Sequence, residues 1–275
     1  PTNAEDAVDQ LVIAKWIVRM LGYRYGVEIS YAPKIIVGKA GSGLHFHMLI
    51  EKDGKNLLVE DSKLSPLAKR MIAGILDSAD ALTAFGNTIP TSYLRLVPHQ
   101  EAPTYICWGD RNRSVVVRVP LGWTGANNMI ADANPVECGC QGPKESKQTY
   151  EFRVADGSAD PHLTVAGLII ASLNGIRRAD SLEMAEKLYA HVNIFSPEFK
   201  DKLASLNQLP VSCFESAEIL DKKRAIFEAD GIFPKGMIDS KIKKLKSFND
   251  KGLSERIYGK DDEIKTLVEQ YIHIA

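Results

Sequence analysis

Hydrophobic positions along the chain alternate between helical and strand spacing. Val8, Leu11, Val12 and Trp16 recur every three or four residues, as do Ile13, Ile17, Met20 and Leu21. Both sets fit one helix over residues 5–25, with Thr2 or Asn3 as cap, Glu5 and Asp6 in its first turn, and Gly22 and Gly26 at its end. The apolar stripe is wide, which predicts a well-buried helix. Residues 28–37 are rich in β-formers. A loop, 38–42, then delivers a strand over 44–51 in which His45 and His47 project from one face and Leu44, Phe46 and Met48 from the other. Lys52-Asp53-Gly54-Lys55 predicts a hairpin, with 57–59 as the return strand. Ser65-Pro66 opens a second helix carrying Leu67, Met71, Ile72, Ile75, Leu76, Ala79 and Leu82, ending before Gly86-Asn87.

Beyond Ile89 the pattern is β-type again. Val115, Val117 and Val119 alternate with Val116 and Arg118. Prolines at 98 and 103 bracket Glu101 in a stiff loop. Residues 121–146 read as a loop. In the strand 148–154, Glu151 and Arg153 share one face while Tyr150, Phe152 and Val154 share the other. Asp160-Pro161 opens a third helix, 163–174, apolar almost all round and so expected to be buried, closed by Gly175. From 176 onward the chain is helical and polar, with anchors over 180–191, 215–230 and 237–249 and an amphipathic last helix over 261–275. The fold class expected is α+β: a curved, largely antiparallel sheet with a polar face, its other face covered by helices 5–25, 65–84 and 160–175. One domain, 1–275, divides into a core of about 5–176 and a helical portion of about 177–275.

Composition narrows the function. With 45% hydrophobic and 25% charged residues, the balance is that of a globular protein. A net charge of −1 supplies no basic field for nucleic acid, and Lys241 to Lys246 reads as a solvated helix face. No apolar run approaches the roughly 18 residues a membrane span needs, and no secretory signal opens the chain. Cys107, Cys138, Cys140 and Cys213 read as free thiols in a reducing cytoplasm. No P-loop, dinucleotide fingerprint, nucleophile elbow, zinc ribbon or internal repeat is present. Imidazoles on a strand face bind metal, hydrogen-bond phosphate or shuttle protons, or are simply satisfied at a half-buried surface. Arg95, Arg111, Arg113 and Arg118 fall within 24 positions, and guanidinium suits bidentate phosphate or carboxylate recognition. Together with an apolar strand and one Glu they favour an anion site over scattered salt bridges.

Gly41-Ser-Gly-Leu-His45-Phe-His47, Ser92-Tyr-Leu-Arg95-Leu-Val-Pro98-x-x-Glu101-Ala-Pro103, Arg111-Asn-Arg113-Ser, Glu151-x-Arg153 and the Asp160-Pro161 helix occur in that order. Five such motifs resemble the catalytic domain of glutamine synthetase, well over residues 7–176 and loosely beyond. The resemblance implies ATP-dependent ligation of ammonium to glutamate through γ-glutamyl phosphate, with Mg²⁺ or Mn²⁺. It implies that His45 and Glu151 hold metal, that His47 contacts nucleotide, and that Gly41, Arg95 and Arg153 hold glutamate. It further implies that Glu101 takes a proton from ammonium, and that Arg113 and Arg118 bind phosphate, with Arg113 catalytic.

This chain departs from the family pattern at Ala40, where the family has Asn, at Leu49 for Ser and at Thr149 for Arg. Tyr189 matches the family's adenylylated-tyrosine motif poorly. A γ-glutamyl ligase for an organic amine and a non-catalytic paralogue therefore stay open. The family's other metal glutamates and its β-grasp domain precede the region matching Pro1, so a truncated, inactive catalytic domain is expected. A full-length form is expected to be a homo-oligomer of stacked hexameric rings.

Overall fold

The computed structural model describes residues 2–61, 63–98, 102–121 and 148–273. Helix α1, Ala4–Tyr25, starts where the Asn3 side chain accepts the Asp6 N–H and ends at Gly26 with φ +68°. No strand follows over residues 28–37; that β-rich stretch is irregular chain. The described residues form eight short strands: β1 Phe46–Met48, β2 Glu51–Lys52, β3 Lys55–Asn56, β4 Val59–Glu60, β5 Lys63–Leu64, β6 Trp108–Asp110, β7 Val117–Val119 and β8 Tyr150–Phe152. Among the described residues β1, β8, β7 and β6 form one sheet in that order, with two antiparallel pairings and a parallel one between β7 and β6. The expected hairpin is present as β2–β3, turned by Asp53 and Gly54 at φ +53° and +77°, and a second hairpin, β4–β5, follows.

Helix α2, Pro66–Gly86, is capped by Ser65, whose side chain accepts the Ala68 N–H. From Met71 to Gly86 it is buried apart from the half-buried Asp77 and Asp80. Helix α3, Pro90–Arg95, replaces the β-type chain expected there, with Pro90 fitting its first turn. Helix α4, Pro161–Arg177, is capped by Asp160 and runs past Gly175, the expected stop. Gly175 instead meets α2: a Cβ on Gly74 would lie 2.0 Å from Ala171 O, and one on Gly175 2.1 Å from Arg70 O. The two helices therefore cross with their backbones touching.

The remaining helices are α5 Ser181–Lys187, α6 Lys200–Ala204, α7 Cys213–Glu228, α8 Lys235–Ser247, α9 Leu253–Ile257 and α10 Asp261–Tyr271. The polar C-terminal portion is tied to the core by α7. Phe227 meets the Phe85 ring of α2 edge-on and Phe233, just past α7, meets it tilted, at centroid distances of 5.4 and 5.3 Å. Cys107 and Cys213 are buried free thiols; Cys138 and Cys140 lie outside the described residues. No described helix is long and apolar enough to cross a membrane.

The sheet sorts its two faces by register. Phe46, Phe152, Val117 and Trp108 form one row across four strands, and Phe152, Val117 and Trp108 are buried in the core beneath. The expectation of a buried α1 fails. Only Val8 and Gly22 are buried on it, while Trp16 is 62% exposed. Helical spacing identifies a stripe but not what covers it.

Candidate active site

The same register builds the site on the opposite face. His47 pairs with Glu151, and Glu151 with Arg118, so an imidazole, a carboxylate and a guanidinium stand side by side on three neighbouring strands. His45 and Arg153, two positions along their own chains, join from the same face.

Glu151 is 1% exposed and is the hub. Its Oε1 lies 2.8 Å from His45 Nδ1 and accepts from Arg153 Nη1 at 2.8 Å, with His47 Nε2 at 3.9 Å. Its Oε2 lies 2.8 Å from Arg118 Nε, an ion pair without the alignment of a directed hydrogen bond. Burial alone raises this carboxyl's pKa. The hydrogen bond with His45 and the charges of Arg153 and Arg118 outweigh it and hold the pKa at about 2. His47 is shifted down, first by burial, against the pull of Glu151. Its Nδ1 is 3.3 Å from Thr149 Oγ1.

Arg95 lies under the glycine loop and is 3% exposed. Its Nη1 and Nη2 donate to the carbonyls of Val154 and Arg153 at 2.7 and 3.2 Å, so it braces the chain just past β8. Burial lowers its pKa, opposed by the charge of Asp156. The glycines wrap this side chain. A Cβ on Gly41 would lie 2.5 Å from Pro33 O and 2.7 Å from Arg95 Cγ, and one on Gly43 2.5 Å from Arg95 Nη2 and 2.8 Å from His45 Nε2.

His45, His47, Glu151, Arg118, Arg153, Arg95 and Gly41 are thus brought together. Arg113 is exposed, and its charge bears on Arg153. Arg111 is exposed as well, at φ +54°. Glu101 lies outside the described residues.

Supporting residues escaped sequence reasoning. Gly43 is as tightly enclosed as Gly41. Asp156, fully buried, faces Arg95 electrostatically and accepts from Asn87 Nδ2 at 2.7 Å and Ser158 N at 2.9 Å. Lys34, 1% exposed, donates from Nζ to Lys39 O at 2.5 Å, and burial and then Arg95 lower its pKa. The sequence signal for Gly43 was the Gly-x-Gly spacing. Asn87 and Asp156 carry none, because each lies just past the end of an element, α2 or β8, and only the fold brings the two together.

The charge balance decides what this face attracts. Two buried carboxylates, Glu151 and Asp156, stand against Arg118, Arg153, Arg95 and the buried Lys34, so the site is electropositive and suited to an anion. Arg153 Nε is buried and has no hydrogen-bond partner among the described residues. For a metal the fit is chemical and partial. Imidazole and carboxylate together suit Mn²⁺ at least as well as Mg²⁺. However, His45 Nδ1 is engaged by Glu151, and no three His, Cys, Asp or Glu among the described residues are arranged to hold a metal ion.

A family described as glutamine synthetase, catalytic domain, matches residues 1–250. The glutamine synthetase of Pyrococcus furiosus is 34% identical over 247 residues, covering 90% of this chain and 51% of the relative. That of a Nostoc species is 32% identical over 239 residues, covering 86% and 45%. In structure, the Plasmodium falciparum glutamine synthetase superposes with a TM-score of 0.68 at 25% identity, over 90% of this chain and 52% of that one. The chain spans about half the length of the curated relatives it matches.

Proposed function

Because this chain belongs to the glutamine synthetase catalytic-domain family, we propose that it forms the phosphate-binding and glutamate-binding wall of a ligase joining ammonium to glutamate at the expense of ATP. The observation that carries the reading is the electropositive face around Glu151: one buried carboxylate flanked by two imidazoles and two guanidiniums.

The chemistry needs such a face. A carboxylate is a poor electrophile, so its oxygen must first be given a leaving group. The γ-carboxylate oxygen of glutamate attacks the γ-phosphorus of ATP, and ADP departs. That transfer is chiefly positioning plus charge stabilisation. Arg118 and Arg113 hold the transferring phosphoryl oxygens, and Arg153 holds the glutamate carboxylate. Arg95 keeps Gly41, Gly43 and the Arg153 carbonyl in place, so the two ligands meet in register. Ammonia nitrogen then attacks the acyl carbon, inorganic phosphate leaves, and Glu101 receives the proton lost from ammonium. His45, with Glu151, would hold a divalent ion, which when bound neutralises phosphate charge. His47 orients the nucleotide.

Ala40, where the family has Asn, supports a second reading in which the acceptor is an organic amine. Phosphate release from ATP with glutamate and Mg²⁺ or Mn²⁺ separates these. Turnover with ammonium, run on the longest product of the gene, is the expected result. Turnover only with amines from a panel supports the second reading. Silence in every series from an assembled oligomer supports a non-catalytic paralogue. The 275 residues alone are expected to be silent, since the relatives carry about as much chain again.

A further inference from the structure

Strands β6 and β7 run parallel although only residues 111–116 separate them. A parallel pair ordinarily needs a crossover of about a dozen residues or more. The return is therefore tight, and Arg111 turns it at φ +54°. This turn carries Arg113, which is exposed and whose charge reaches Arg153. A long exposed side chain is aimed by the backbone beneath it, so what holds this turn decides where the guanidinium points.

The hold comes from the C-terminal portion. Asn112 Nδ2 donates to the carbonyls of Ala190 and Val192 at 3.3 and 2.5 Å, and its Oδ1 accepts from Ser114 N and Ser114 Oγ at 3.0 and 2.7 Å. Ser114 Oγ in turn accepts the Ile194 N–H at 3.2 Å. Ala190 N donates to Trp108 O at 2.7 Å, and a Cβ on Gly109 would lie 2.2 Å from Ala190 O, so this segment lies backbone to backbone against β6. A second hydrophobic cluster, separate from the main core, joins the same parts: Cys107, just before β6, and Val115, in the return, pack with Ala190, Ile194, Phe199 and Leu206. Both residues flanking Arg113 are thus bonded into one segment, while Arg113 itself stays exposed. We propose that residues 188–206 are the seat that aims Arg113, with Asn112 as a positioning residue acting through it. The seat gives the C-terminal portion a part in the site, and it rests on the ligase reading for what Arg113 holds, the transferring phosphoryl group.

A double-mutant cycle on the 275-residue chain tests this, read as affinity for the β,γ-imido analogue of ATP with Mn²⁺ by calorimetry. Asn112→Ala and Arg113→Ala are each expected to weaken binding by on the order of tenfold. With Arg113→Ala already in place, Asn112→Ala is expected to change nothing further, because its effect runs through that guanidinium. Ser114→Ala should follow the same pattern more weakly. A structural Asn112 would weaken binding equally in both backgrounds, and that result would overturn the proposal. So would an Asn112→Ala chain that binds like wild type, or a folded wild type that binds no analogue. Phosphate release by the longest product of the gene tests the ligase reading separately. There Asn112→Ala should lower kcat about tenfold and leave the glutamate KM within about twofold. Silence of that product toward ammonium and every amine, with the binding cycle intact, removes the ligase reading and leaves the seat standing.

Discussion

At the scale of single residues, Glu151 stands where two guanidiniums and two imidazoles converge, and its ionised form is what binds them together. Its pKa lies at about 2 in the folded chain, below that of an unfolded glutamate. A depressed carboxyl pKa adds stability that is fully present above the unfolded value, near 4.3, and is lost as pH falls through about 2. In the metal-free chain, the melting temperature should therefore fall between pH 5 and the acid limit. Glu151→Gln should flatten that fall while costing about 3 kcal/mol at neutral pH, because the buried Arg153 and the half-buried Arg118 lose a partner. A slope unchanged in the variant would show that the acid sensitivity arises elsewhere.

Gly43→Ala is expected to cost about 1–3 kcal/mol by thermal denaturation. Its Cβ would strike the Arg95 guanidinium, which two carbonyls hold in place. Period-two spacing made His45 and His47 legible in the sequence, as it did Glu151 and Arg153, because side-chain direction along a strand is local. Asp156 and Lys34 were not legible: a buried charge is recognised by its charged and polar side-chain partners, and those, Asn87 for Asp156 and Arg95 for Lys34, are distant in sequence.

Among the elements, helix caps and turns were the most readable. Asn3, Ser65, Asp160 and Asp53-Gly54 all act where their chemistry placed them. Tertiary context decided the rest. The 28–37 stretch finds no partner strand, and Pro90 starts a short helix. Gly175 does not end α4, because it is needed for the approach to Gly74. That crossing gives an element-scale prediction. Gly74→Ala should destabilise by about 3 kcal/mol or more, since its Cβ would meet the Ala171 carbonyl, which is backbone and cannot swing away. An exposed control such as Gly236→Ala, with open space around its Cβ, should be neutral or mildly stabilising. Equal melting temperatures for the two variants would contradict the described packing of α2 on α4.

For the whole molecule, the family fold explains how so small a sheet can carry a site. The core row of Phe46, Phe152, Val117 and Trp108 fixes the register, and the register fixes the polar row above it. A ligand site at that polar row, as opposed to a structural ion cluster alone, would bind a divalent ion saturably. The most direct test is Mn²⁺ binding to the 275-residue chain in the presence of ADP, followed by the loss of the free-ion signal in electron paramagnetic resonance. We predict saturable binding that Glu151→Gln and His45→Ala each weaken by at least about tenfold. Binding that is equal in wild type and Glu151→Gln, or absent from the folded wild type, would contradict the assignment.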